Sequence, residues 1–183
     1  MKRALLSALF IATSLNAADP AVIPASELAK KWKRTKSLAT PVEKLRKGLV
    51  VETGGPAPAA QPVTVKVDAD TEERFQNIQF QRDSAELMGG TSLAQLDEIA
   101  KAMIQAKTEK FLIEGHTCDL GEGGHNLQLS QNRALTVKAY LARQGVASER
   151  LQVIGFGESD LLVKDTSEPA RQQNRRVQIF RKL

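Results

Sequence analysis

Residues 115–134 read GHTCDLGEGGHNLQLSQNRA and gather both histidines of the chain, His116 and His125, its one cysteine, Cys118, and two opposite charges, Asp119 and Arg133. Just before them, FLIEG (residues 111–115) is a short apolar run closed by a glycine, which predicts a strand feeding a loop. Gly121, Gly123 and Gly124 make that loop glycine-rich, and loops at the carboxyl end of a strand are common ligand sites. Ser130 is a natural N-cap, so a helix is expected to start there, with Ala134, Val137 and Leu141 on one face and Gly145 at its left-handed cap. Such a start puts Arg133 in the first turn, where the helix end is already positive and a cation is disfavoured by about 0.3–1 kcal/mol. Arg133 then sits where helix stability prefers Glu, and with the free N–H groups beside it forms a site for a carboxylate or phosphate. The bland alternative is an ordinary ion pair with Asp119 or Glu122. Asp119, across the loop, can face an ammonium, so the two charges together suit a zwitterion such as an amino-acid-like ligand.

Working outward, VTVKV (residues 63–67) alternates as an edge strand does, and FQNIQF (75–80) is a second strand candidate. Ser92 and Gln95 form a capping-box pattern ahead of Leu93, Leu96, Ile99, Ala100, Met103 and Ile104, which recur at helical spacing. Residues 151–154 read as a strand ended by Gly155 and Gly157, a short helical turn is expected near Ser167, and Val177 and Ile179 alternate in a last strand. The order β-α-β-α-β-(α)-β predicts an α+β fold, a mixed sheet with helices packed mainly on one face. Phe75, Ile78, Phe80, Leu112, Ile154, Val177 and Ile179 are the expected core.

The chain opens MKRALLSALFIATSLNAADP, in which Lys2 and Arg3 precede an apolar run and the small residues Ala17 and Ala18 follow it. This pattern reads as a secretory signal peptide over residues 1–17, too short for the roughly 20 residues of a membrane span. Export to the periplasm is therefore expected. No cysteine follows the run to carry a lipid, and a single cysteine leaves no internal disulfide, so the fold must rest on its core. Residues 18–53 read as a basic arm carrying Lys30, Lys31, Lys33, Arg34, Lys36, Lys44, Arg46 and Lys47, solvated or attracted to anionic envelope polymers. Leu28 and Trp32 make a sparse apolar stripe within it. Residues 54–62, GGPAPAAQP, read as a linker, and a domain is expected over 63–183.

Several function classes are disfavoured. The net charge of +5 resides in a Lys-rich arm, only 4% of residues are aromatic, and an exported chain does not meet the chromosome, all of which argue against nucleic acid. His116, Cys118 and His125 match no zinc spacing, so no metal is expected. A Cys118/His125 nucleophile pair lacks an orienting group and an oxyanion element, and Gly155-Phe156-Gly157 lacks the third glycine of a dinucleotide fingerprint. Neither an enzyme nor a cofactor is expected.

Five stretches recur in one order: NIQFQRDSAEL (77–87), IEGHT (113–117), NLQLSQNRA (126–134), GFGES (155–159) and NRRVQI (174–179). In these the chain resembles the OmpA-like peptidoglycan-binding domain family. The resemblance implies a mixed sheet covered by helices and noncovalent binding of the diaminopimelate of the peptidoglycan stem peptide. It implies that Arg133 and Arg175 engage the ligand's carboxylates, with Thr117, Cys118, Asn126 and Leu129 shaping the pocket. The family pattern GHTD carries an acid for the ligand's amine where this chain has Cys118, and Asp119, one residue later, is read as its replacement. The implied role is a periplasmic, wall- or outer-membrane-associated tether. The alternative is an envelope protein–protein adaptor that no longer binds peptidoglycan.

Overall fold

Along β3 (Phe111–His116), Phe111 and Ile113 point to one face while Leu112 and Glu114 point to the other, and both faces are buried. A strand buried on both sides must be covered twice, and this chain covers it with helices on one face and with its own curled sheet on the other. The computed structural model describes residues 21–33, 43–51 and 60–183. Their elements are α1 (Ala25–Lys33), β1 (Glu43–Val51), β2 (Ala60–Phe75), α2 (Thr91–Gln105), β3, α3 (Gly123–Arg143), a 3₁₀ turn (Ser148–Arg150), β4 (Leu151–Gly157), α4 (Glu168–Asn174) and β5 (Val177–Lys182). The signal segment and the linker residues 54–59 lie outside the described residues.

The strand order is β1-β2-β5-β3-β4, with β3 and β4 parallel and the other ladders antiparallel. The sheet curls until β1 meets β4 at the single pair Leu49–Gly155, closing a barrel. The fold is α+β, as the element order predicts. On the helix face, Phe111, Ile113, Val153, Val177 and Ile179 pack with Leu96, Ile99 and Met103 of α2 and Val137 and Leu141 of α3. Inside the curl, Val65, Val67, Leu112, Ile154, Phe156 and Phe180 form a second apolar cluster.

Two glycines set the helix–sheet distance. A Cβ on Gly115 would lie 2.1 Å from the Ser130 carbonyl oxygen, and one on Gly155 2.7 Å from the Gln131 nitrogen, so α3 can lie on β3 and β4 only where both lack side chains. Gly145 takes φ +97° just beyond α3, the left-handed cap expected there.

Four local expectations are corrected. The helix read from Ser130 begins two turns earlier, at Gly123, so Ser130 lies inside it. Its hydroxyl donates to the Leu127 carbonyl (2.7 Å) and accepts from Gly157 N–H (2.8 Å), tying helix to strand. Arg133 is therefore mid-helix, and the charge argument from the first turn does not apply to it. The Ser92/Gln95 capping box does not form either: α2 is capped at Gly90 without a side-chain bond. Ser92 instead donates to the Asn77 carbonyl, and Gln95 holds Ile23 N–H at 2.7 Å. FQNIQF is not a strand, because β2 ends at Phe75 and the chain turns back through the Phe80–Leu87 bridge.

Part of the stretch read as a solvated arm packs on the domain. Trp32 and Leu28, one helical turn apart, are wholly buried against α2 and β3, with the Trp32 ring 5.0 Å from Phe111. The Trp32 indole N–H donates to the Thr71 carbonyl at 3.2 Å, where a register shift between Asp68 and Glu73 bends β2. That bend lets one strand pair with β1 over its first half and with β5 over its second. The sequence reading starts the domain at Val63, whereas β1 lies before it and still supplies a whole ladder of the barrel.

Candidate functional site: an arginine-lined cavity

Arg133 projects from α3 toward the loop between β2 and α2. Its Nε–H donates to the Ser84 carbonyl (2.9 Å) and Nη2 to the Gln81 carbonyl (3.4 Å), while its guanidinium lies 5.1 Å from the Phe80 ring. The loop keeps its shape through two backbone bonds, Gln81 N–H to Glu86 O and Met88 N–H to Gln79 O, both 2.9 Å. Arg133 is 7% exposed, and among the described residues no carboxylate pairs with it. Burial, and then the neighbouring Arg175 charge, hold its pKa below the ordinary arginine value. A buried cation whose hydrogen bonds go to carbonyls, with Asp83 acting on it only at longer range, leaves a positive potential that an anion can neutralise.

Beside it opens a cavity of about 240 Å³. Ile78, Phe80 and Met88 form an apolar wall, Gln76, Gln79 and Gln172 offer amides, and Arg133, Arg175, Arg176 and His116 supply the basic groups. Arg175 ends α4, where its backbone N–H caps on the Arg171 carbonyl (3.0 Å). Its Nη2 meets the exposed Glu168 at 2.5 Å, and its Nη1 lies 3.8 Å from the Cys118 sulfur. Burial opposes its charge, but Glu168 and Cys118 outweigh that and raise its pKa. Arg176 donates to Gln178 Oε1 (2.7 Å) and to the Asp160 carbonyl (3.0 Å), and burial lowers its pKa to about 10.

The cavity floor continues into the barrel interior. His116 is 1% exposed, stacks on Phe156 at 5.1 Å, and leaves both ring nitrogens without a hydrogen bond. Its Nε2 is 3.5 Å from Glu114, whose two oxygens take Arg46 Nε–H and Nη2–H at 2.7 and 2.6 Å. Burial works against the Arg46 charge, yet Glu114 and Asp160 together raise its pKa above the ordinary value.

The structure thus brings Arg133 and Arg175 to one cavity and sets Cys118, 7% exposed, at the Arg175 guanidinium. Asp119 does not line the cavity. Its carboxylate accepts from Arg171 Nε–H at 2.8 Å, and that bond, with the Arg171 charge, keeps its pKa below the usual carboxylate range. Asn126 holds the loop from behind: its amide donates to the Leu120 carbonyl (3.1 Å) and to Glu158 (2.7 Å). Thr117 is buried with its hydroxyl unpartnered, and half-buried Leu129 does not line the cavity. Sequence reasoning missed Arg176, Gln172 and Met88, and placed Phe80 in the core when it forms the cavity wall. The pair Arg175-Arg176 was the available signal, since successive residues of an extended segment point to opposite sides, and here Arg176 is the one turned inward. Among the described residues no group of three His, Cys, Asp or Glu side chains could hold a metal ion, and no helix is long and apolar enough to cross a membrane.

Fold and cavity together define a small α+β domain with an arginine-lined cavity beside its helix-covered sheet. The chain belongs to the OmpA family, whose model matches residues 79–175, a span that includes Phe80, α3 and Arg175. It is 33% identical over 122 residues to outer membrane porin F of Pseudomonas fluorescens, covering 67% of this chain but 34% of that protein. It is also 33% identical over 109 residues to the peptidoglycan-associated lipoprotein of Haemophilus influenzae, covering 60% of this chain and 71% of that one. Among solved structures it is similar to a MotB-like protein of Desulfovibrio vulgaris, at 26% identity and a TM-score of 0.54, over 60% of this chain and 71% of that one.

Proposed function

We propose that this protein binds peptidoglycan noncovalently through its arginine-lined cavity and, exported to the periplasm, tethers or organises the wall or outer membrane without catalysing a reaction. The observation that carries the reading is Arg133, a buried guanidinium with no carboxylate partner among the described residues, facing Arg175 across one cavity. Two guanidiniums at one opening take the carboxylates of a stem peptide as charge-assisted, bidentate hydrogen bonds. The apolar wall of Ile78, Phe80 and Met88 suits the aliphatic chain of a diamino acid such as diaminopimelate. Asn126 supports the loop beside the cavity through the Leu120 carbonyl, and Asp119 holds α4 to that loop through Arg171. The peptidoglycan-associated name of the Haemophilus relative supports the same ligand.

Co-sedimentation with purified sacculi at low and high salt tests it. Binding is expected to survive about 1 M salt, where exposed charges are screened within about 3 Å, and to weaken at least roughly tenfold in Arg133→Ala. Binding that vanishes with salt and ignores Arg133 would overturn the reading.

A further inference from the structure

The cavity is lined by three arginines, and no carboxylate is among its lining residues. Three acids adjoin it, and each already has a partner: Asp119 holds Arg171 (2.8 Å), Glu168 holds Arg175 (2.5 Å) and the exposed Asp83 meets the His125 ring (2.6 Å). Below the floor, Glu114 and Asp160 are both bound to Arg46. The one side chain of the 116–119 loop that reaches Arg175 is Cys118, through sulfur. A sulfur at 3.8 Å is a weak acceptor and answers Arg175 less strongly than a carboxylate would.

We propose that this cavity selects carboxylate-bearing chains that carry no free ammonium, and that Cys118 is the residue that sets this preference. The proposal rests on the function given above and narrows its ligand. A zwitterion entering the cavity must bring its ammonium among three guanidiniums with every neighbouring acid engaged, which is like-charge juxtaposition at short range. A carboxylate chain whose amine is absent, or acylated as in a peptide cross-link, meets the same arginines without that repulsion. Its methylenes then lie on Ile78, Phe80 and Met88.

Pimelate and diaminopimelate share a seven-carbon dicarboxylate skeleton and differ only in two amines, so they are the probes. Calorimetric titration of the full chain with each is expected to show pimelate binding at least roughly tenfold more tightly. In Cys118→Asp, which places an acid beside Arg175 and the cavity, the order should reverse. Tighter binding of diaminopimelate to the native chain, no binding of either, or an unchanged ratio in a folded Cys118→Asp would each overturn the proposal. Sacculus binding measured in parallel separates the two readings. Sacculi bound without a preference for pimelate removes only the ligand selectivity, and pimelate preferred without sacculus binding removes only the wall function.

Discussion

His116 shows how one residue couples the cavity floor to stability. Its imidazole is buried among Glu114, Asp160 and Arg176, and burial, the largest influence, pulls its pKa below the ordinary 6.5 despite Glu114. The unfolded chain therefore takes up the proton first as pH falls. Stability is complete above the unfolded value and declines below it, by at most about 1.4 kcal/mol per pH unit until the folded value is reached. Urea denaturation between about pH 7.5 and 5.5 should show this loss, and His116→Gln should flatten it. An identical slope in the variant would assign the loss to other groups. The arginines near it divide in the same way: Arg46 is locked to the Glu114 carboxylate, while Arg133 donates to carbonyls.

At the scale of the elements, α3 lies close to the sheet because Gly115 and Gly155 make room for its backbone. Gly115→Ala forces the helix off the strands, and overpacking of this kind costs about 1–3 kcal/mol. Thermal unfolding should show the drop, whereas Gly89→Ala, where nothing lies within 4 Å of the added Cβ, should leave the midpoint near its native value. The small helix α1 is tested through its own reporter. Trp32 is the only tryptophan and is fully buried, so native emission should be blue-shifted and should redden as the chain unfolds. Trp32→Ala should cost about 3–5 kcal/mol in the same denaturation series. Emission of a water-exposed indole in the native protein would mean that α1 is not docked.

For the whole molecule, the barrel is closed by β1, which meets β4 at one residue pair but contributes Arg46 to the interior. A chain beginning at Val63 would leave the wholly buried Glu114 without its guanidinium and expose the face covered by Trp32. Removing one partner of a buried ion pair costs about 3–5 kcal/mol, a large share of the roughly 5–15 kcal/mol that holds a domain together. The shortened chain should therefore unfold at much lower urea than the full one, and equal midpoints would show that residues before Val63 are dispensable.

The sequence alone determined the helix and strand periodicities, the left-handed Gly145, and the order of motifs that marks the family. Each rests on local spacing or on residue identity. Tertiary structure decided the rest, because it depends on what stands opposite. Ser130, Ser92 and Gln95 look like caps in sequence but bond across elements, to Gly157, Asn77 and Ile23, segments that the fold brings against them. The lysines around Trp32 read as a solvated arm because charge dominates composition, yet two apolar residues one turn apart were enough to dock the helix. Asp119 and Arg133 look like partners across a loop, but α4 brings Arg171 to Asp119 and leaves Arg133 without an acid. Which charge stays unanswered, and so which ligand the cavity can hold, is set by packing between segments far apart in the chain.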